Sequence, residues 1–218
     1  PGCAPSVVGP LKNVPAVSEL LAQGWAYVAT DYVGLGTEGG HAYLVGEDAA
    51  RAVLDSVRAA TQMAEVDIVP RTVVWGHSQG GHAALWAGQL ADTYAPDLAV
   101  AGTAALSPAS DPLALAEGVL ADPGSPGASL AVSFVVDAYT RNYPELNLDD
   151  VVAPSARTIV REAASRCTDQ GGTLVTILAG LAIGKDQPIV DAGALDGPFG
   201  ARLVEHLQVG AAGREGAA

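Results

Sequence analysis

Lysine is nearly missing from this sequence. Lys12 and Lys185 are the two it has, and with 24 acidic against 11 basic residues the formal net charge is −13. A chain so charged has no basic surface to offer a phosphate backbone or anionic lipid headgroups, which excludes nucleic acid as a partner. Hydrophobic runs are also short. The most apolar, TLVTILAGLAIG at 173–184, falls well under the ~20 residues that cross a bilayer; it reads as a buried or interface helix, and no transmembrane segment is expected. Cysteine occurs twice, at Cys3 and Cys167, outside any metal-ligand spacing, so a long-range disulfide and two buried thiols are both open on composition. No charged start followed by an apolar stretch marks a signal peptide, so any leader is already removed or not included.

What is present suffices for a sizeable core: 49% of the 218 residues are hydrophobic,. Residues 14–106 alternate helical and strand-like patterns, which predicts an α/β fold with a parallel sheet. VPAVSELLAQG has Pro15 near its start, Val17, Leu20 and Leu21 on one face and Gly24 as a stop, the pattern of a helix,. WAYVAT at 25–30 then reads as a buried strand,. GEDAARAVLDSVRAATQM at 46–63 opens with acids, repeats Ala50, Val53, Leu54, Val57 and Ala60 at helical spacing, and carries Arg58 near its end,. RTVVW at 71–75 and LAVAGTAAL at 98–106 read as strands flanking a helix, GGHAALWAGQLADTY,. After SPASDP at 107–112 the strand signal stops, and Ala-rich helical pattern broken by ADPGSPGAS and GKDQP follows to about residue 200,.

The chemistry centres on VVWGHSQGGHAALWA at 73–87. Gly76-His77-Ser78-Gln79-Gly80 satisfies G-x-S-x-G, with a strand before it, a helix after it, and Gly76, Gly80 and Gly81 to let the two approach closely,. Such an elbow pushes the Ser78 hydroxyl above the carboxyl edge of the sheet as a nucleophile. The helix N-terminus then offers free backbone N–H groups to a developing oxyanion, that of Gln79 first. A second glycine string, Gly34-Leu35-Gly36-Thr37-Glu38-Gly39, satisfies G-x-G-x-x-G. It opens onto a loop where dinucleotide binding needs a helix, and Asp55 lies inside the following helix, out of reach of a ribose.

A serine needs a histidine base and an orienting acid, in α/β-hydrolases placed after the serine in the chain. His77 adjoins the serine and must point elsewhere, His82 lies a turn into the helix below it, and His41 precedes it. His206, with Asp191 or Asp196 before it, has the right order, but ARLVEHLQ reads as a helix where the base should sit on a loop,. The triad looks incomplete within these residues.

GCAPS at 2–6, ATDYVGLGTEGGHAYLVG at 29–46, VLDSVRAA, and WGHSQGGHAALWA resemble the secretory lipases of the α/β-hydrolase fold, closely over residues 2 to about 110. The resemblance implies a partial α/β-hydrolase core over 1–110, an inserted helical cap or lid over 111–200, and a return segment with an Ala/Gly tail over 201–218. It also implies a Cys3–Cys167 disulfide, hence a secreted, extracellular protein. By the same resemblance the second oxyanion donor, the catalytic Asp and the catalytic His would lie outside these residues, so the chain is expected to be an internal fragment, inactive alone. The implied reaction is hydrolysis of carboxylic esters, triacylglycerols or related lipids, through an acyl-enzyme on Ser78 with no metal or organic cofactor. Contact with lipid interfaces would be transient. The apolar segments 129–136 and 173–184 are candidate acyl-binding walls, with plain core as the competing reading. A short-chain esterase, acyltransferase or peptidase on the same fold, and a non-catalytic binding protein that keeps the elbow, are the rival functions.

Overall fold

The helix predicted over 46–63 runs Gly46–Thr61 (α3) in the computed structural model, which describes residues 3–9, 14–122, 126–167 and 189–208. It forms where the pattern asks for it. Ala49, Ala50, Leu54, Val57 and Ala60 make the buried stripe, Glu47 and Asp48 stand at the positive end of the helix dipole, and Arg58 stands in the last turn,. Before it come two short helices, Pro5–Val8 (α1) and Val17–Ala22 (α2); Gly24 follows α2 with φ +80°, the left-handed geometry that stops a helix,.

Arg71–His77 (β1) and Ala99–Leu106 (β2) pair in parallel, with an irregular register between Thr72 and Val73. A parallel pair needs a crossover, and Gln79–Tyr94 (α4) supplies it. Ala83, Ala84, Ala87 and Ala91 are the buried face of α4, small enough to let α3 and the strands close in on it. At Gly88 the approach to β2 is close, since an added Cβ would lie 2.6 Å from Thr103 Oγ1. Leu54, Val57, Val74 and Leu98 join Ala84, Ala87 and Ala91 in one core, where each large aliphatic side chain contributes about 1.5–3 kcal/mol. Arg58 pins the far end: it donates to the Tyr94 carbonyl at 2.9 Å and pairs with Asp55 and Asp97.

The run WAYVAT departs from expectation. Residues 25–30 form no strand, and Trp25 and Val28 are 48% and 37% exposed. A strand exists only through a neighbour's backbone, and among the described residues this run has side-chain contact with β1, Tyr27 edge-on to Trp75 at 6.3 Å, without a ladder. Of the two strands only β1 has a buried residue: Val74 lies in the core while Val73 is exposed, and Leu106 of β2 is exposed too.

Beyond β2 the described chain is helical: Pro112–Ala121 (α5), Pro126–Asn142 (α6), Leu148–Val151 (α7), Arg157–Ala164 (α8), Ala192–Leu195 (α9) and Pro198–Glu205 (α10). Asp111 caps α5 by accepting from Ala114 N at 2.9 Å,. α5 to α10 and residues 42–45 build a second core around Val136, Tyr139, Val160, Phe199 and Leu203. Cys3 and Cys167 form a disulfide, Cα atoms 5.2 Å apart, that joins the start of the chain to the segment after α8. Residues 173–184, the GKDQP break and the Ala/Gly tail lie outside the described residues.

Candidate active site

Ser78 stands at the carboxyl end of β1, in the one residue between strand and helix, where ligand sites of open parallel sheets form. Its φ of 55° and ψ of −116° are strained for a residue with a Cβ,. Three backbone bonds hold it there. Ser78 N donates to Leu106 O at 3.0 Å, and Ser78 O accepts from His82 N and from Ala109 N, each at 3.1 Å. Leu44 and Ser107 also have positive φ, at 58° and 42°, and with Ser78 they line one cavity.

That cavity, of about 170 Å³, opens beside Ser78 and is walled by Leu115 and Val119 of α5, Val132 and Val135 of α6, Phe199 of α10, and Tyr43. Among the described residues, none that lines it is charged. The 129–136 segment does reach it, through Ala131, Val132 and Val135. Gln79 is the first residue of α4, so its N–H has no partner within the helix and is free for a ligand,.

The elbow glycines divide. A Cβ on Gly76 would lie 2.9 Å from Gly80 Cα and nearer still to the Gly80 carbonyl, and one on Gly81 would meet Pro108 Cα at 3.0 Å. A Cβ on Gly80 would meet nothing within 4 Å. The clearance expected of all three is therefore required at 76 and 81; at 80 it is the backbone that Gly76 approaches.

None of the four histidines bonds Ser78 Oγ. His77 is exposed. His82 is fully buried: Trp86 Nε1–H donates to its Nε2 at 3.1 Å, and the His206 carbonyl oxygen lies 3.1 Å from the same atom. His206 follows the end of α10 with both ring nitrogens engaged. Gly46 N–H donates to Nδ1 at 3.1 Å, so the proton of the neutral ring is on Nε2, which bonds Tyr143 Oη at 2.5 Å,. Burial, and the neighbouring His82, hold His206 down to about 4. It is a neutral strut between the start of α3 and Tyr143, the residue after α6. His41 bonds Gln79: their Nε2 atoms are 2.6 Å apart. The 34–39 glycines turn the loop that carries His41; Gly34 has φ +86°, and a Cβ there would lie 2.6 Å from His41 N.

A family model described as Secretory lipase matches residues 12–179. The chain belongs to the secretory lipase family. Among relatives in that family, a Mycobacterium tuberculosis (strain CDC 1551 / Oshkosh) protein described as "Probable inactive lipase MT1628" is 38% identical over 97 residues, 44% of this chain and 21% of that protein. Lipase A of Moesziomyces aphidis is 34% identical over 82 residues, 38% of this chain and 17% of its own length. Lipase 10 of Candida albicans (strain SC5314 / ATCC MYA-2876) is 30% identical over 164 residues, 71% of this chain and 33% of its own. The fold matches solved α/β-hydrolases. Candida antarctica lipase A in its closed state superposes with TM-score 0.69 at 21% identity, over 94% of this chain and 49% of that one. The rice cell wall degrading esterase LipA from Xanthomonas oryzae superposes with TM-score 0.70 at 22% identity, over 89% of this chain and 55% of that one. The chain spans about half the length of these solved structures and a third or less of the curated relatives.

One feature of the site escapes sequence reading: His41 precedes the serine in the chain, yet the loop at 31–45 brings it to Gln79. The tyrosines on either side of it, Tyr32 and Tyr43, were the available signal.

Proposed function

We propose that this secretory lipase family member is a carboxylic ester hydrolase acting on lipid-like acyl chains through Ser78. The observation that carries the reading is the serine itself, strained at the end of β1, beside an uncharged apolar cavity and next to the unpartnered Gln79 N–H. Ser78 Oγ attacks the ester carbonyl carbon while its proton passes to a base. The oxyanion accepts from Gln79 N–H, the alcohol leaves, and water then frees the acid from the acyl-enzyme. None of the described histidines bonds Ser78 Oγ, so in this reading the base is a group other than these in their described positions. This chemistry requires neither metal nor cofactor.

In this reading the helices beyond residue 111 form a cap whose apolar wall takes the acyl chain. The Cys3–Cys167 bridge suits an oxidising, extracellular setting, and contact with lipid surfaces is transient. A second reading, an elbow kept as a non-catalytic binding scaffold, draws on the lack of a described histidine bonded to Ser78 Oγ and on the relative described as "Probable inactive lipase MT1628".

A fluorophosphonate probe with peptide mapping, applied to the full-length protein, separates them. Labelling at Ser78, lost in Ser78→Ala together with turnover of a p-nitrophenyl octanoate substrate, is expected. A folded full-length protein that takes no label at Ser78 would leave the binding reading standing, and labelling that survives Ser78→Ala would move the nucleophile elsewhere.

A further inference from the structure

Gln79 has a long, polar side chain at the first position of α4, where such a side chain ordinarily stands free in water among several rotamers. Here it is tied down. Its Nε2 lies 2.6 Å from His41 Nε2, and the direction of the bond follows from the other ring nitrogen. His41 Nδ1 faces the Val33 carbonyl oxygen at 3.3 Å; a carbonyl only accepts, so Nδ1 carries the proton, Nε2 holds a lone pair, and the Gln79 amide donates to it. Burial holds His41 below the ordinary imidazole range, and nearby Arg141 pushes the same way.

The imidazole is fixed on every side. Tyr32 lies against it with ring centroids 5.5 Å apart and Tyr43 meets it edge-on at 5.9 Å. Arg141 of α6 donates to the His41 carbonyl at 3.1 Å and is itself held by Asp137 at 2.6 Å. The Gln79 N–H is therefore constrained from both ends of its residue: on one side by the strained Ser78 and its bond to Leu106, on the other by a side chain bonded to His41.

We infer that His41 is a positioning residue, locking the Gln79 side chain so that the Gln79 N–H stays aimed at the carbonyl oxygen of a bound ester. This rests on the ester-hydrolase reading of Ser78. Misplacing a charge-stabilising donor by an ångström costs up to about a hundredfold in rate. Unlocking Gln79 should therefore lower kcat by about 10- to 100-fold and leave KM within about twofold.

The test compares wild type, His41→Ala, His41→Gln, Gln79→Ala and the His41→Ala/Gln79→Ala double variant of the full-length protein, read by kcat and KM on p-nitrophenyl octanoate and by fluorophosphonate labelling of Ser78. Either alanine change breaks the same bond, so each is expected to lower kcat and the double to fall no further than the worse single. His41→Gln, whose amide oxygen can accept from Gln79, should recover part of the rate. If His41→Ala does not fold, Gln79→Ala carries the test alone, because it removes the bond and keeps the backbone N–H. The inference is overturned if a Gln79→Ala enzyme labelled at Ser78 keeps kcat within twofold of wild type, or if the two alanine effects multiply. A wild-type protein that neither labels at Ser78 nor turns over the ester removes the hydrolase reading itself, and the inference with it.

Discussion

Replacing Gly76 by alanine should cripple this fold, and replacing Gly80, four residues along the same motif, should strengthen it. The Gly76 Cβ would sit 2.9 Å from Gly80 Cα, closer yet to the Gly80 carbonyl, in a region where the obstacle is backbone and no side chain can swing aside. Relief requires β1 and the first turn of α4 to part by about 1 Å, and overpacking of this kind costs about 3 kcal/mol, the upper part of its usual range. For a protein of this size that lowers Tm by about 6–12 °C. At Gly80 the added Cβ meets nothing within 4 Å, and alanine in a helical turn gains about 0.5–1 kcal/mol over glycine, raising Tm by about 1–4 °C. Thermal unfolding by circular dichroism on both variants measures the difference. The same displacement would carry Ser78 away from the cavity, so ester turnover should vanish in Gly76→Ala and survive in Gly80→Ala. Equal shifts in Tm, or a greater loss at Gly80, would show that the elbow is not limited by backbone-to-backbone clearance.

His206 links stability to pH. Its folded-state pKa of about 4 lies below the ordinary 6.5, so the unfolded chain binds the extra proton between these values. Stability is complete above pH 6.5 and falls as pH drops toward 4, by about 3 kcal/mol for this group; urea midpoints at pH 7 and 4.5 should show it, with a shallower dependence in His206→Gln. A midpoint that rises on acidification would contradict the neutral strut. Reducing the Cys3–Cys167 bridge removes a constraint across 164 positions, worth about 5 kcal/mol in the chain-entropy picture, and Tm should drop by roughly 10 °C or more on adding reductant. An unchanged Tm with both thiols alkylated would refute that estimate.

Local pattern made much of the core legible. The stripe of Ala50, Leu54, Val57 and Ala60 and the pair of β-rich runs around a glycine-flanked serine depend on neighbours within a few residues, and the structure has α3, β1, α4 and β2 there. Where a partner distant in sequence decides, the reading failed. WAYVAT has the composition of a buried strand but no ladder among the described residues, and composition cannot supply a neighbour's hydrogen bonds. Gly80 looked equivalent to Gly76 because a motif does not say which glycine faces backbone. Chain order weighs against His41 and a helical pattern against His206, whereas their roles come from Gln79 on α4 in one case and from Gly46 and Tyr143 in the other.

The disulfide also sets a schedule. Cys3 and Cys167 are 164 positions apart, and at about 5–20 residues per second of synthesis the first thiol waits roughly 10–30 s for its mate. No third cysteine in these residues competes for it, so the wait carries no risk of mispairing among them. During that interval any association of α3, α4 and both strands rests on packing alone. Oxidative folding here is a late latch, and an oxidant supplied early has nothing within these residues to join.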